Sequence, residues 1–355
     1  LSDIYFVSEG SSSKQEDGKS YYANPETIVS LTFETSEPLS EVTVTINAGG
    51  TAGNQLGRFP AVDNDPVTLT KLREEGGGDL EKWKAIYTMT TASDDNGGAG
   101  YEIPFSIAFT DLNAYGGETV TETTDLKYVT FDKTPPEVQT FEYVSSNDNT
   151  TLAKSGNTIT ATFVATELIQ QPVMEISDTR NPPTVGNTDA TWTMANEMDG
   201  NDSEGQVAVE IVSFKDYAGN EGTGTTETTN DTYITYDITD PVLRTVSVSS
   251  SNNYSSNTMA RAQDVVSIII STSTSIITGE EILEPTVSML GSADNVTVSP
   301  ETADATSDDQ WTATKTVIST HDNGPVAFNI VVYDLAGNGP VEATAILNDA
   351  NGNVQ

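Results

Sequence analysis

One pattern written three times constrains this chain more than any other feature. Each copy runs through alternating apolar strands, a Trp-bearing strand, a Gly turn, another alternating strand and an Asp-led turn. The Trp segments are Glu81-Lys82-Trp83-Lys84-Ala85, Ala190-Thr191-Trp192-Thr193-Met194 and Asp309-Gln310-Trp311-Thr312-Ala313. The Gly turns are Asp95-Asn96-Gly97, Asp199-Gly200-Asn201 and Asp322-Asn323-Gly324. The closing turns begin at Asp111, Asp216 and Asp334, and the last two read Asp216-Tyr217-Ala218-Gly219-Asn220 and Asp334-Leu335-Ala336-Gly337-Asn338. Two junctions also match, Asp132-Lys133-Thr134-Pro135-Pro136 and Asp237-Ile238-Thr239-Asp240-Pro241. Proline there cannot donate to a strand ladder, as a boundary requires.

The repeat spans about 105–120 residues, long enough for each copy to bury its own core. Segments such as Thr158-Ile159-Thr160-Ala161-Thr162-Phe163 and Glu41-Val42-Thr43-Val44-Thr45-Ile46 alternate with period two, the mark of half-buried strands. Turn signals recur about every 8–12 residues, which suits a sandwich of two sheets. The segment Leu72-Arg73-Glu74-Glu75 is the nearest thing to a helix, and the Gly76-Gly77-Gly78 run makes it an inserted loop. The expected organisation is all-β: three tandem sandwiches in an extended rod, at residues 1–133, 134–239 and 240–355. Each Trp is expected to be buried in one core.

The turn Asp-x-Ala-Gly-Asn, the following strand and the Asp-x-Thr-x-Pro junction resemble the bacterial Ig-like tandem repeats of large microbial surface proteins. The second copy fits best. The first carries Asn113-Ala114-Tyr115-Gly116 where the others carry Ala-Gly-Asn. The resemblance implies a seven-strand Ig-like sandwich, tandem stacking, an extracellular, cell-surface location and, often, calcium between neighbours.

In such a sandwich the B–C and F–G loops face the preceding domain. Asp132, Glu167 and Asp216 are then expected to converge at the first seam. At the second seam the candidates are Asp237, Asp240 and Asp334. There strand B, which in the second copy ends Ala165-Thr166-Glu167, ends Ser271-Thr272-Ser273-Thr274 without a Glu, so Glu280 or Glu281 would have to swing in. Glu37 and Asp111 would face a predecessor of the first copy. Calcium takes six to eight oxygen ligands, many of them carboxylate. The competing reading is that each Asp opens its turn by bonding its own backbone. On sequence both stand.

Charge narrows the partners. Fifty-three acidic against 15 basic side chains give −38 at pH 7, and acidic residues outnumber basic ones in every copy. Such a chain repels nucleic acid and anionic membrane and attracts cations. No stretch approaches the ~20 apolar residues that span a bilayer as a helix. With no Cys and a single His, in the turn Thr320-His321-Asp322-Asn323-Gly324, there is no thiol chemistry and almost no imidazole chemistry. No nucleophile elbow, zinc-helix or phosphate-loop motif occurs, so no enzyme is expected. The expected role is mechanical, a calcium-stiffened spacer in adhesion or in a surface layer or filament. Its partners are neighbouring repeats or subunits of the same protein, with cell-surface glycans as a further possibility. The rival is a carbohydrate-binding or accessory Ig-like module of a secreted polysaccharide-active enzyme. A strip of exposed aromatics would favour that rival, and the paired rings of Tyr21-Tyr22 are too few to make one.

Two features stand apart. Five N-x-S/T sequons, at Asn149, Asn201, Asn230, Asn253 and Asn295, match what chance gives for this content of Asn, Ser and Thr. The first two copies end on Leu126-Lys127-Tyr128-Val129-Thr130-Phe131-Asp132 and Thr232-Tyr233-Ile234-Thr235-Tyr236-Asp237, whereas the third stops at Asn351-Gly352-Asn353-Val354-Gln355. The third copy is therefore expected to lack its last strand, to be supplied by continuation of the chain or by a neighbouring subunit.

Overall fold

The computed structural model describes residues 1–9, 20–60, 65–72, 81–98, 100–177, 179–186, 188–253, 258–273, 282–300 and 310–347. Among them every regular element except two short 3₁₀ turns is a strand. No helix is long and apolar enough to cross a membrane.

The middle sandwich shows the plan. One sheet orders its strands Val138–Ser145, Thr158–Ala165, Thr191–Glu197 and Thr184–Val185. The facing sheet holds Val173–Ile176, Val209–Lys215 and Glu221–Gly222. A short third sheet, Leu152–Ala153, Thr235–Tyr236 and Gly205–Gln206, closes one end through a parallel and an antiparallel pair. Four strands on one sheet against three on the other is the constant-type Ig arrangement. Thr158–Ala165 explains why it forms. Ile159, Ala161, Phe163 and Ala165 all point inward and are buried, while β-branched Thr covers much of the outer face.

The first sandwich repeats the plan with Ser2–Glu9, Ile28–Thr35, Glu81–Thr88 and Thr68–Leu72 in one sheet, and Asn54–Phe59, Leu39–Asn47 and Phe105–Asp111 in the other. Thr68–Leu72 is a strand, so the segment read as an inserted loop begins one residue later, and residues 73–80 lie outside the described residues. The third sandwich pairs Val242–Ser250, Val265–Ser273, Gln310–Thr316 and Thr297–Pro300 against Thr286–Met289, Phe328–Val332 and Val341–Ala343.

Three separate hydrophobic cores follow the three copies. The Trp strand occupies the same register in each, with Trp83 opposite Phe33, Trp192 opposite Phe163 and Trp311 opposite Ile270. Trp83 and Trp192 are buried, as expected. Trp311 departs from expectation: it is half-buried and packs against its core without entering it. Described residues of the third core include no buried aromatic, whereas the other two cores hold Phe131 and Tyr236 on their closing strands. Leu347 bonds Val246 as Thr229 bonds Phe141. The expectation about the last strand of the third copy falls on residues outside the described ones.

Candidate seams between the sandwiches

The Asp-led turn is the same object in all three copies. Asp111, Asp216 and Asp334 each donate a backbone N–H to the carbonyl four residues on, at Tyr115, Asn220 and Asn338. The fourth position needs a left-handed backbone, with φ of +97° at Gly219 and +86° at Gly337. The first copy closes the same turn with Ala114 at φ +64°, so its different sequence alters side chains but not the turn's geometry. The turn-opening reading of Asp is correct as far as it goes. Asp216 Oδ1 accepts from Gly219 N at 2.6 Å and Asn220 N at 2.8 Å, and Asp111 Oδ1 accepts from Tyr115 N at 2.9 Å.

The fifth position adds a second job that sequence reasoning missed. Asn220 Nδ2 donates to Asp216 Oδ2 at 2.7 Å and to the Asp132 carbonyl at 3.1 Å. Asn338 Nδ2 donates to Asp334 Oδ2 at 2.9 Å and to the Asp237 carbonyl at 2.9 Å. Each Asn therefore ties its own turn to the junction of the sandwich before it. Tyr115 holds this position in the first copy and is 75% exposed. The signal was in the sequence: Asn recurs at the two turns that have a described predecessor.

At the first seam Asp132, Glu167 and Asp216 come together as expected. One carboxylate oxygen from each lies within 4.8 Å of the others. Among the described residues they are the one set of three acidic or imidazole side chains so placed. Asp132 and Asp216 are buried and Glu167 is half-buried. Among the described residues none of the three forms an ion pair with Lys or Arg. Burial therefore dominates their titration. It pushes Glu167 up to about 8, helped by the charges of Asp132 and Asp216. It lifts Asp132 to about 6, against the pull of the Thr134 N–H and with a further push from Asp216. Asp216 is raised too, by burial, although its hydrogen bonds from Asn220 oppose the shift. Without a cation, the cluster keeps a proton at neutral pH.

Around the triad, Asp95 is buried and accepts from Thr134 Oγ1 at 2.8 Å, and Lys133 Nζ holds the Ser93 carbonyl at 2.8 Å. Tyr22 stacks on Tyr217 across the seam, with ring centroids 5.8 Å apart. The paired Tyr21-Tyr22 of the sequence is thus divided between two jobs, since Tyr21 carries Lys127 Nζ 5.4 Å above its ring.

The second seam is built differently. Asp237 and Asp334 are buried there, and burial together with the charges of Asp334 and Glu204 raises Asp237 to about 6. Asp240 is exposed, past Thr239. Thr274, in the place of Glu167, and Glu280 and Glu281 lie outside the described residues. Basic and amide groups span this seam directly. Lys154 Nζ donates to the Gly337 carbonyl, and Asn147 Nδ2 to the Ala336 carbonyl at 2.8 Å. Glu37 and Asp111 stand at the far pole of the first sandwich, where they line one pocket with Tyr115. Glu37 is exposed and Asp111 half-buried.

The two seams use opposite poles of the middle sandwich. Val209–Lys215 runs between them, from beside the Gly205–Gln206 end to Asp216, a span of about 20 Å. The three sandwiches are thus strung end to end. His321, the lone imidazole, accepts the Ile318 N–H through Nδ1 within its turn.

No family model matches the chain, and no curated protein sequence matches it. Solved structures of Ig-domain proteins do. The full Ig1–Ig3 ectodomain of mouse nectin-like molecule 4 is 11% identical at a TM-score of 0.28, covering 95% of this chain and all of that one. Dpr2 Ig1–Ig2 in complex with DIP-Theta Ig1–Ig3 is similar at 10% identity and a TM-score of 0.26, with 97% and 98% of the two chains covered. The Bacteroides ovatus mixed-linkage glucan protein SGBP-B, solved with a heptasaccharide, is similar at 10% identity and a TM-score of 0.17, over 92% of this chain and 70% of that one. At such scores these likenesses carry no argument about function. The sandwich assignment rests on the strand pairing and the cores.

Proposed function

We propose that this chain is a non-enzymatic structural section of an extracellular, surface-anchored repeat protein, a spacer whose first seam is stiffened by calcium. The observation that carries the reading is the convergence of Asp132, Glu167 and Asp216 at a joint already tied by Asn220. Three carboxylates in a tight, half-desolvated cluster are unfavourable as anions, and an all-oxygen donor set of this kind suits a calcium ion. A cation there would join both sides of the seam, since Asp132 belongs to the junction and Glu167 and Asp216 to the sandwich beyond it. Stiff joints between end-to-end sandwiches give reach, which adhesion, surface layers and filaments all use.

Small-angle scattering with and without chelator tests the reading. Chelation is expected to change the maximum dimension while each sandwich keeps its melting transition, because each core stands without metal. An unchanged dimension and unchanged melting would reduce the triad to a proton-sharing turn. Electron microscopy of the purified protein separates a monomeric spacer from a lattice or filament subunit.

A second reading, glycan binding, is favoured by one groove. A cavity of about 560 Å³ on the middle sandwich is lined by Tyr143, Glu175, Gln206, Glu210, Glu227 and Tyr233, among others. Tyr233 is 60% exposed, an aromatic face beside carboxylate acceptors. Affinity electrophoresis in soluble polysaccharides, with Tyr233→Ala as control, decides it: unretarded migration in all of them removes this reading.

A further inference from the structure

The sequons are equal in sequence but not in geometry. Asn149 and Asn230 are both exposed, and each sits in a turn closed onto its own side chain. Asn149 Oδ1 accepts from Thr151 N at 3.2 Å and from Thr151 Oγ1 at 2.8 Å. Asn230 Oδ1 accepts from Thr232 N at 3.3 Å and from Thr232 Oγ1 at 2.8 Å. The sequon hydroxyl thus meets the acceptor amide twice, in the same way. Nδ2 of neither Asn donates a hydrogen bond among the described residues. Among the described residues, the sequons at Asn201 and Asn295 lack this arrangement. Asn295 is followed by the strand Thr297–Pro300, whose extended backbone holds Thr297 against Thr314. Asn201 uses its backbone N–H on Asp199 Oδ1, and no bond joins it to Ser203. Ser255, the partner of Asn253, lies outside the described residues.

We propose that Asn149 and Asn230 are acceptor sites for an N-linked glycan. A carboxamide nitrogen is a poor nucleophile because its lone pair is delocalised into the carbonyl. Two donors on Oδ1 polarise that carbonyl and make the N–H more acidic, so the nitrogen can lose a proton as it attacks. The co-substrate is an oligosaccharide linked through a diphosphate to a lipid, presented by a transferase. The bond that forms joins Nδ2 to the anomeric carbon. The bond that breaks joins that carbon to the diphosphate oxygen, which leaves with the electron pair, and the amide proton passes to a base of the transferase. Both turns lead into the same short sheet of the middle sandwich, where Leu152–Ala153 lies parallel to Thr235–Tyr236 and Thr235 N donates to the Thr151 carbonyl. Sugars there would cover a sheet edge, the part of a β-protein most open to unwanted pairing.

The test uses the purified, folded full chain with a single-subunit oligosaccharyltransferase and a lipid-linked oligosaccharide, read by intact mass and peptide mapping. Sugar is expected at Asn149 and Asn230 several-fold faster than at Asn295, the Thr-type control, and the difference is expected to vanish for tryptic peptides of the same segments. Thr151→Ala is expected to abolish modification at Asn149 alone and Thr232→Ala at Asn230 alone. Equal rates in folded chain and peptides, preference for Asn295, or no reaction at Asn149 and Asn230 while their peptides react, would each overturn the proposal. The outcome is independent of calcium at the seam, so it stands or falls separately from the spacer reading.

Discussion

On the proposed reading, a calcium ion entering the first seam would displace a proton. Glu167 titrates at about 8 and Asp132 at about 6. At pH 7 roughly nine in ten Glu167 side chains and about one in ten Asp132 side chains hold a proton, so binding releases about one proton per ion. At pH 9 the same arithmetic gives about 0.1. Apparent affinity should therefore rise about tenfold from pH 7 to pH 9, because the site no longer has to be emptied first. Isothermal titration calorimetry in buffers of different ionisation enthalpy measures both quantities. Glu167→Gln keeps an oxygen ligand but loses the titrating group, and is expected to weaken binding and remove nearly all of the proton release at pH 7. Binding at pH 7 with no proton release would show that Glu167 is not where the ion sits. No binding heat at either pH would refute the site altogether.

Other outcomes follow from the same geometry. In the ion-free protein, Asp132 and Glu167 bind protons more tightly folded than unfolded, so their contribution to stability is complete below the ordinary carboxylate range and is lost as pH rises through about 6 to 8. Thermal melts in chelator across that window should fall with pH, and a flat or rising profile counts against the buried cluster. Trp192→Ala should destabilise the middle sandwich by about 3–5 kcal/mol, while Trp311→Ala, half-buried, should cost about 1–3 kcal/mol in the third. Differential scanning calorimetry of the two variants ranks the losses, since each sandwich keeps its own core whether or not it keeps a Trp, and equal losses would contradict the difference in burial. Asn338→Ala removes the amide that bonds both Asp237 and Asp334, and leaves buried acceptors short by about 1–3 kcal/mol. Scattering should show the second joint loosened with or without calcium, and an unaltered profile would place the strength of that joint in Lys154 and Asn147 instead.

The sequence was sufficient for everything that depends on local pattern. Period-two alternation in Thr158–Ala165 specifies a strand and its inner face, and Gly at the fourth position of Asp216–Asn220 specifies the left-handed turn, because each is a property of a few adjacent residues. Three copies in register then fix three sandwiches, and the Asp-led turn with its Glu partner locates the first seam. Tertiary structure decided what those residues do once distant segments meet. It showed that Asn220 and Asn338 reach the preceding junction, that Tyr22 stacks on Tyr217, and that Lys154 and Asn147 latch the second seam. It also separated Asn149 and Asn230 from the other sequons and left Trp311 half-covered where its counterparts are buried. The reason is physical. A turn or a strand is decided by backbone torsions and the nearest side chains, whereas a seam or a core position depends on which parts of the chain, many tens of residues apart, arrive at the same place.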